Sequence, residues 1–205
     1  MKDVIILGAG GHAKVVIDTA ILSGYKPVAL YDDSDKLQGS KTSDIPVAGK
    51  ICDLPEDFSG HAFIAIGNNA IRKQLAEKFK NARWIKLIHP SAIIAGSAVI
   101  EPGTLICAGS IIQPEVYIGK HCIINTGANL DHECRIGKYV HVGPGCNIAG
   151  SVRIEDGCLI GIGSSILPLK KIGSWSILGA GSVTAIDIPP GSKAWGVPAR
   201  IKKQE

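Results

Sequence analysis

The sequence predicts an α/β domain over residues 1–85 followed by a parallel β-helix over residues 86–205. Three observations predict it. Aliphatic residues recur every sixth position from Ile88 to Leu178 without a break. Residues 1–85 lack that repeat and alternate short apolar runs with helical segments. A glycine-rich turn, Gly8-Ala9-Gly10-Gly11-His12-Ala13, joins the first apolar run to the first helical segment.

In the N-terminal region Val4–Leu7 reads as a strand and Ala13–Leu22 as a helix. Val28–Tyr31 reads as a second strand ending at Asp32-Asp33, and Ala62–Ile66 as a third ending at Gly67-Asn68-Asn69. Ala70–Lys80 is helical. The order β-α-β-β-α is a short Rossmann-like unit. Gly8, Gly10 and Ala13 fit G-x-G-x-x-G/A, in which glycines let backbone N–H groups approach a phosphate at a helix N-terminus. The acidic pair stands where a ribose-binding carboxylate would. The region is too short for a full dinucleotide domain, so a smaller nucleotide carrier fits better.

From residue 88 onward the period is six. Ile88, Ile94, Ile100, Ile106, Ile112 and Ile118 begin a ladder that stays aliphatic to Ile172 and Leu178. A second ladder, four residues after each anchor, is small or β-branched, and Cys122, Cys134, Cys146 and Cys158 belong to it. An α-helix repeats every 3.6 residues, so period six means a short strand and a tight turn, repeated. Three hexads make one triangular coil, and stacked coils bury their anchors. The cysteines are expected as buried, reduced packing residues rather than disulfides or metal ligands.

The net charge of +4 is mild and dispersed, and no basic stripe carries interleaved aromatics, which excludes a nucleic-acid surface. The run Val4–Gly11 is too short and too glycine-broken for a signal peptide, and no stretch reaches the roughly 20 apolar residues of a membrane span. No membrane insertion and a cytoplasmic location are expected.

The repeat resembles the hexapeptide-repeat acyltransferases, whose β-helix is left-handed and whose usual assembly is a homotrimer with sites between adjacent helices. Gly196-Val197-Pro198-Ala199-Arg200-Ile201 looks like that family's C-terminal signature. With the Rossmann-like unit in front, the chain resembles the nucleotide-sugar N-acetyltransferases of the bacillosamine and perosamine type, and more distantly sialic-acid O-acetyltransferases. The matches are Gly8–His12, Asp32-Asp33, Ile66-Gly67-Asn68-Asn69, Asn125-Thr126 and Asp131-His132-Glu133-Cys134. The resemblance implies a nucleotide-sugar substrate, such as UDP-4-amino-4,6-dideoxy-N-acetylglucosamine, held by Gly10, Gly11, His12, Asp32, Asp33 and Gly67. It implies acetyl-CoA as co-substrate, with His141, Ile162 and Ala180 at its binding site. A sialic-acid O-acetyltransferase, with the same fold and co-substrate but a hydroxyl acceptor, is one alternative, and a non-catalytic nucleotide-sugar sensor is the alternative from another class.

Acetyl transfer to an amine needs a base and donors for an oxyanion. His132 stands out because Asp131-His132-Glu133 interrupts the ladder with consecutive polar residues. Histidine titrates near neutrality, and a carboxylate beside it can orient the ring. The resemblance makes His132 the base and Glu133 its partner. Residues one coil apart should stack, so His132 should lie against Gly150, with Pro168 next; Pro144, Ile162 and Ala180 form another column. Gly150, Gly161, Gly163, Gly179 and Ala180 leave room for a pantetheine arm, and Lys170, Lys171, Arg200, Lys202 and Lys203 are candidates for CoA phosphates. His121, His132 and His141 do not share one coil period, so no metal is expected.

Overall fold

The computed structural model describes residues 1–202, so the phosphate candidate Lys203 lies outside the described residues. The fold falls into two compact units, Met1–Pro90 and Ser91–Glu205.

The first unit contains β1 (Lys2–Leu7), α1 (Gly11–Leu22), β2 (Tyr25–Tyr31), β3 (Lys41–Thr42), β4 (Ile45–Gly49), β5 (His61–Ile64), α2 (Asn69–Lys78) and β6 (Arg83–Trp84). The sheet order is β3-β4-β2-β1-β5-β6. All pairings are parallel except β3 with β4. The central strand β1 buries Val4, Ile6 and Leu7, and α1 packs against β2 and buries Ala13, Val16, Ile17 and Ala20. The chain leaves β1 toward β2 on one side and returns to β5 on the other. That reversal makes a crevice at the carboxyl end of β1, the usual ligand position in such sheets.

Three strands, β3, β4 and β6, are absent from the sequence reading. β4 is Ile45-Pro46-Val47-Ala48-Gly49, and only Val47 is buried, so it carries neither alternation nor an apolar run. β2 begins at Tyr25 rather than Val28, and its pairing with β1 shifts register beside Pro27. Such an irregularity accommodates a residue that cannot donate to the ladder.

In the second unit each six-residue step gives a two-residue strand, and strands one coil apart pair in parallel. The first face stacks Ile93–Ile94, Ile111–Ile112, Asn129–Leu130, Asn147–Ile148, Ser165–Ile166 and Val183–Thr184. The second stacks Val99–Ile100, Tyr117–Ile118, Arg135–Ile136, Arg153–Ile154 and Lys171–Ile172. The third runs from Leu105–Ile106 through Ile123–Ile124, His141–Val142, Leu159–Ile160 and Ile177–Leu178 to the hairpin Lys193–Gly196/Ala199–Ile201. From Ile100 to Leu178 every anchor is at most 7% exposed, which confirms the ladder as the core of a parallel β-helix. Ile94, at the start of this unit, is only half-buried.

The second ladder does more than fill space. Thr104, Cys122, Cys134, Cys146 and Cys158 each donate a side-chain hydrogen bond to a backbone carbonyl fifteen residues on. Ser110 and Ser164 do the same. The donors add a partner to corner carbonyls, of which those of Asn125, Gly161 and Gly179 also accept a backbone N–H. All six cysteines are free, and all but Cys52 are buried.

The corners differ in their residues at positive φ. Between the third and first faces these are Gly109, Gly127, Gly145, Gly163 and Gly181. Between the first and second they are Glu115, Glu133, Ser151 and Leu169, with no glycine.

Candidate functional site

His132 and Glu133 occupy the corner between the first and second faces. The His132 Nδ1 lies 3.0 Å from Glu133 Oε2. A carboxylate only accepts, so Nδ1 carries a proton, and in the neutral ring Nε2 then holds the lone pair. Asp131 Oδ1 accepts from the His132 backbone N–H at 2.8 Å, fixing the turn. The hydrogen bond from His132, and then one from Ser151, hold the Glu133 carboxyl below its usual range, so it stays ionised. The ring stacks on Gly150 as the coil spacing predicts: a methyl built there would lie 2.6 Å from both Cε1 and Nε2 of His132. Gly150 has no positive φ. The absence of a side chain there makes room for the ring rather than for the turn.

His141 points outward from the third face, beside the corner that leads to the first. Its Nε2 lies 3.1 Å from Asn125 Nδ2. The Thr126 backbone N–H donates to Asn125 Oδ1 at 2.9 Å, which fixes the orientation of the amide. Asn125 Nδ2 therefore donates, His141 Nε2 accepts, and the ring proton sits on Nδ1. Sequence reasoning matched Asn125-Thr126 to a family motif without finding this role. Ile162 and Ala180 lie on the same corner, and both are exposed. A methyl on Gly161 would meet Ala180 N at 2.5 Å, and one on Gly179 would meet Trp195 Cβ at 2.7 Å, so the coils approach closely there.

The structure thus separates the candidates. His132 and Glu133 stand at one edge of the first face, and His141, Ile162 and Ala180 at or beside its other edge.

In the N-terminal unit the glycine-rich turn crosses the end of β1. Gly8 has φ +106, and a methyl on it would meet Ala65 O and Ile66 Cγ1 at 2.9 Å, so only glycine fits. The Ala9 N–H donates to Asp32 Oδ2 at 2.8 Å, and Thr42 Oγ1 donates to the Ala9 carbonyl at 2.9 Å. The turn is therefore held before any ligand arrives. A methyl on Gly10 or Gly11 would meet nothing within 4 Å, and Gly10 caps α1 with no side-chain bond to the helix. Asp33 Oδ1 accepts from the Ile51 N–H at 2.9 Å. Both acidic residues thus already bind backbone N–H groups within the unit.

His12 is half-buried, and burial followed by the Arg72 charge lowers its pKa, which keeps it neutral. Arg72, absent from the sequence reading, is 1% exposed. It donates to the carbonyls of Ile66 and Gly67 at 3.1 and 3.2 Å and to Asn69 Oδ1 at 3.0 Å. It thereby ties the loop after β5 to the start of α2. Its signal in the sequence was one arginine in a polar helix, which looks like any solvated cation.

Among the described residues no group of three or more His, Cys, Asp or Glu side chains could hold a metal ion. No helix there is long and apolar enough to cross a membrane.

A family profile described as the PglD N-terminal domain matches residues 3–79. The UDP-N-acetylbacillosamine N-acetyltransferase of Bacillus subtilis (strain 168) is 44% identical over 113 residues, which are 53% of this chain and 52% of that enzyme. The match thus spans about half the length of this curated relative. A variant of perosamine N-acetyltransferase from Caulobacter crescentus, solved with CoA and GDP-perosamine, superposes with a TM-score of 0.92 at 35% identity. That likeness covers 100% of this chain and 98% of that one. The acetyltransferase domain of PglB from Neisseria gonorrhoeae FA1090, solved with acetyl coenzyme A, gives a TM-score of 0.89 at 33% identity, covering 98% of this chain and 99% of that one. With both units matched in sequence and in fold, the chain belongs to the acetyl-CoA-dependent sugar N-acetyltransferases of the bacillosamine and perosamine type.

Proposed function

We propose that this protein transfers the acetyl group of acetyl-CoA to the amine of a nucleotide-linked 4-amino sugar, with His132 as general base. The carrying observation is the His132–Glu133 pair, in which the carboxylate holds the Nδ1–H form and leaves Nε2 to accept a proton. The acceptor we favour is UDP-4-amino-4,6-dideoxy-N-acetylglucosamine, on the likeness to the Bacillus subtilis enzyme named for that acceptor, UDP-N-acetylbacillosamine. Gly10, Gly11 and His12 at the open turn, with Asp32, Asp33 and Gly67 around it, receive the nucleotide sugar. The unobstructed space over Gly10 and Gly11 beside the N-terminus of α1 suits a diphosphate.

The amine attacks the thioester carbonyl as His132 Nε2 takes its proton. Backbone N–H groups and His141 stabilise the oxyanion, and collapse expels the CoA thiolate. The pantetheine arm lies along the corner of Ile162 and Ala180. These two halves sit at opposite edges of one face, which favours a homotrimer whose sites each combine two copies.

The test is acetyl-CoA consumption across UDP-, GDP- and dTDP-4-amino sugars and sialic acid, with His132→Ala alongside. Turnover should be confined to amines, and kcat of the variant should fall about a thousandfold with assembly intact. Acetylation of the sialic-acid hydroxyl alone would refute the amine assignment. Near-normal turnover of His132→Ala would refute the base.

A further inference from the structure

We propose that Ser151 is a positioning residue for acetyl transfer, acting through Glu133 on His132. The inference rests on the reading of His132 as the base. Ser151 Oγ donates to Glu133 Oε2 at 3.1 Å, and that same oxygen faces the His132 ring nitrogen at 3.0 Å. The Ser151 backbone N–H also donates to the His132 carbonyl at 2.9 Å. One residue of the next coil thus grips both members of the pair.

The Glu133 side chain is 55% exposed. Such a carboxylate would otherwise sample several rotamers, and only some meet the ring. A second donor on the same oxygen selects the productive one. Ser151 adopts φ 58, in a left-handed region that costs an L side chain conformational energy. Its own corner places Glu115, Glu133, Ser151 and Leu169 in that conformation coil after coil, so the backbone there is common to the corner and the hydroxyl is what sets Ser151 apart. Glycine would be the less strained residue at 151.

The experiment compares kcat, both KM values and the thermal midpoint for wild type, Ser151→Gly and Ser151→Ala. The same serine substitutions are made in a Glu133→Ala background, and His132→Ala is carried as a control, using acetyl-CoA and the best acceptor of the amino-sugar panel. Ser151→Gly should lower kcat about five- to tenfold with both KM values unchanged, the loss of one charge-assisted hydrogen bond. Its thermal midpoint should equal or exceed wild type, because glycine relieves the left-handed conformation. In the Glu133→Ala background the serine substitution should change kcat less than about twofold. A purely structural serine would lose stability and activity together. Wild-type kcat in Ser151→Gly, or an undiminished loss in the Glu133→Ala background, would overturn the proposal while an inactive His132→Ala leaves the base standing. An active His132→Ala would overturn both.

Discussion

Three neighbours set the place and orientation of the His132 ring. Glu133 fixes the Nδ1 proton, Ser151 holds Glu133, and Gly150 leaves the ring its place. Gly150→Ala tests the last contact. The new methyl would sit 2.6 Å from Nε2, so the ring must turn away. We expect kcat to fall about ten- to a hundredfold, since small misplacements of a base are costly. The thermal midpoint should move by less than about 4 °C, because the displaced ring is exposed. An unchanged kcat would show that the ring does not rest there during turnover. At this scale the sequence carried much of the site. Polar residues interrupting an apolar ladder exposed His132 and Glu133, and the coil spacing put Gly150 beneath the ring. Ser151 was hidden, because a serine at a corner looks like ordinary small-residue packing and its positive φ leaves no mark in the sequence. Arg72 was hidden for the opposite reason, a buried cation that looks solvated.

The coil is the element that makes these contacts regular, and its second ladder explains four of the six cysteines. Burial raises the Cys107 thiol to about 12 and the Cys134 and Cys158 thiols to about 11. A thiol with a raised pKa stays protonated below that value, and the thiolate is the reactive form. A thiol reagent at pH 8 should therefore titrate a single equivalent in the folded protein, at exposed Cys52, and six after denaturation. Fast reaction of several thiols in the folded state would contradict the ladder as a closed core. The sequence identified Cys122, Cys134, Cys146 and Cys158 as packing but missed their hydrogen bonds, because cysteine, serine and threonine alternate there with alanine and valine. In the other unit β4 escaped notice because Pro46 and Gly49 break its pattern and its pairing comes from β2 and β3.

Across the whole molecule, the triangular section puts the proposed base and the proposed thioester site at different corners. No single chain folds them together, since Asn129–Leu130 and its stacked strands lie between the two edges. The proposed reaction therefore lies between two copies, with His132 from one and the Ile162–Ala180 corner from another. Co-assembly of two separately inactive chains, His132→Ala and Ala180→Arg, measures this directly. In an equimolar mixture, sites that pair the intact base of one copy with the intact corner of its neighbour should restore roughly a quarter of wild-type acetyl transfer, the fraction expected from random assembly around a closed ring. Mixed assemblies that remain inactive would contradict the account.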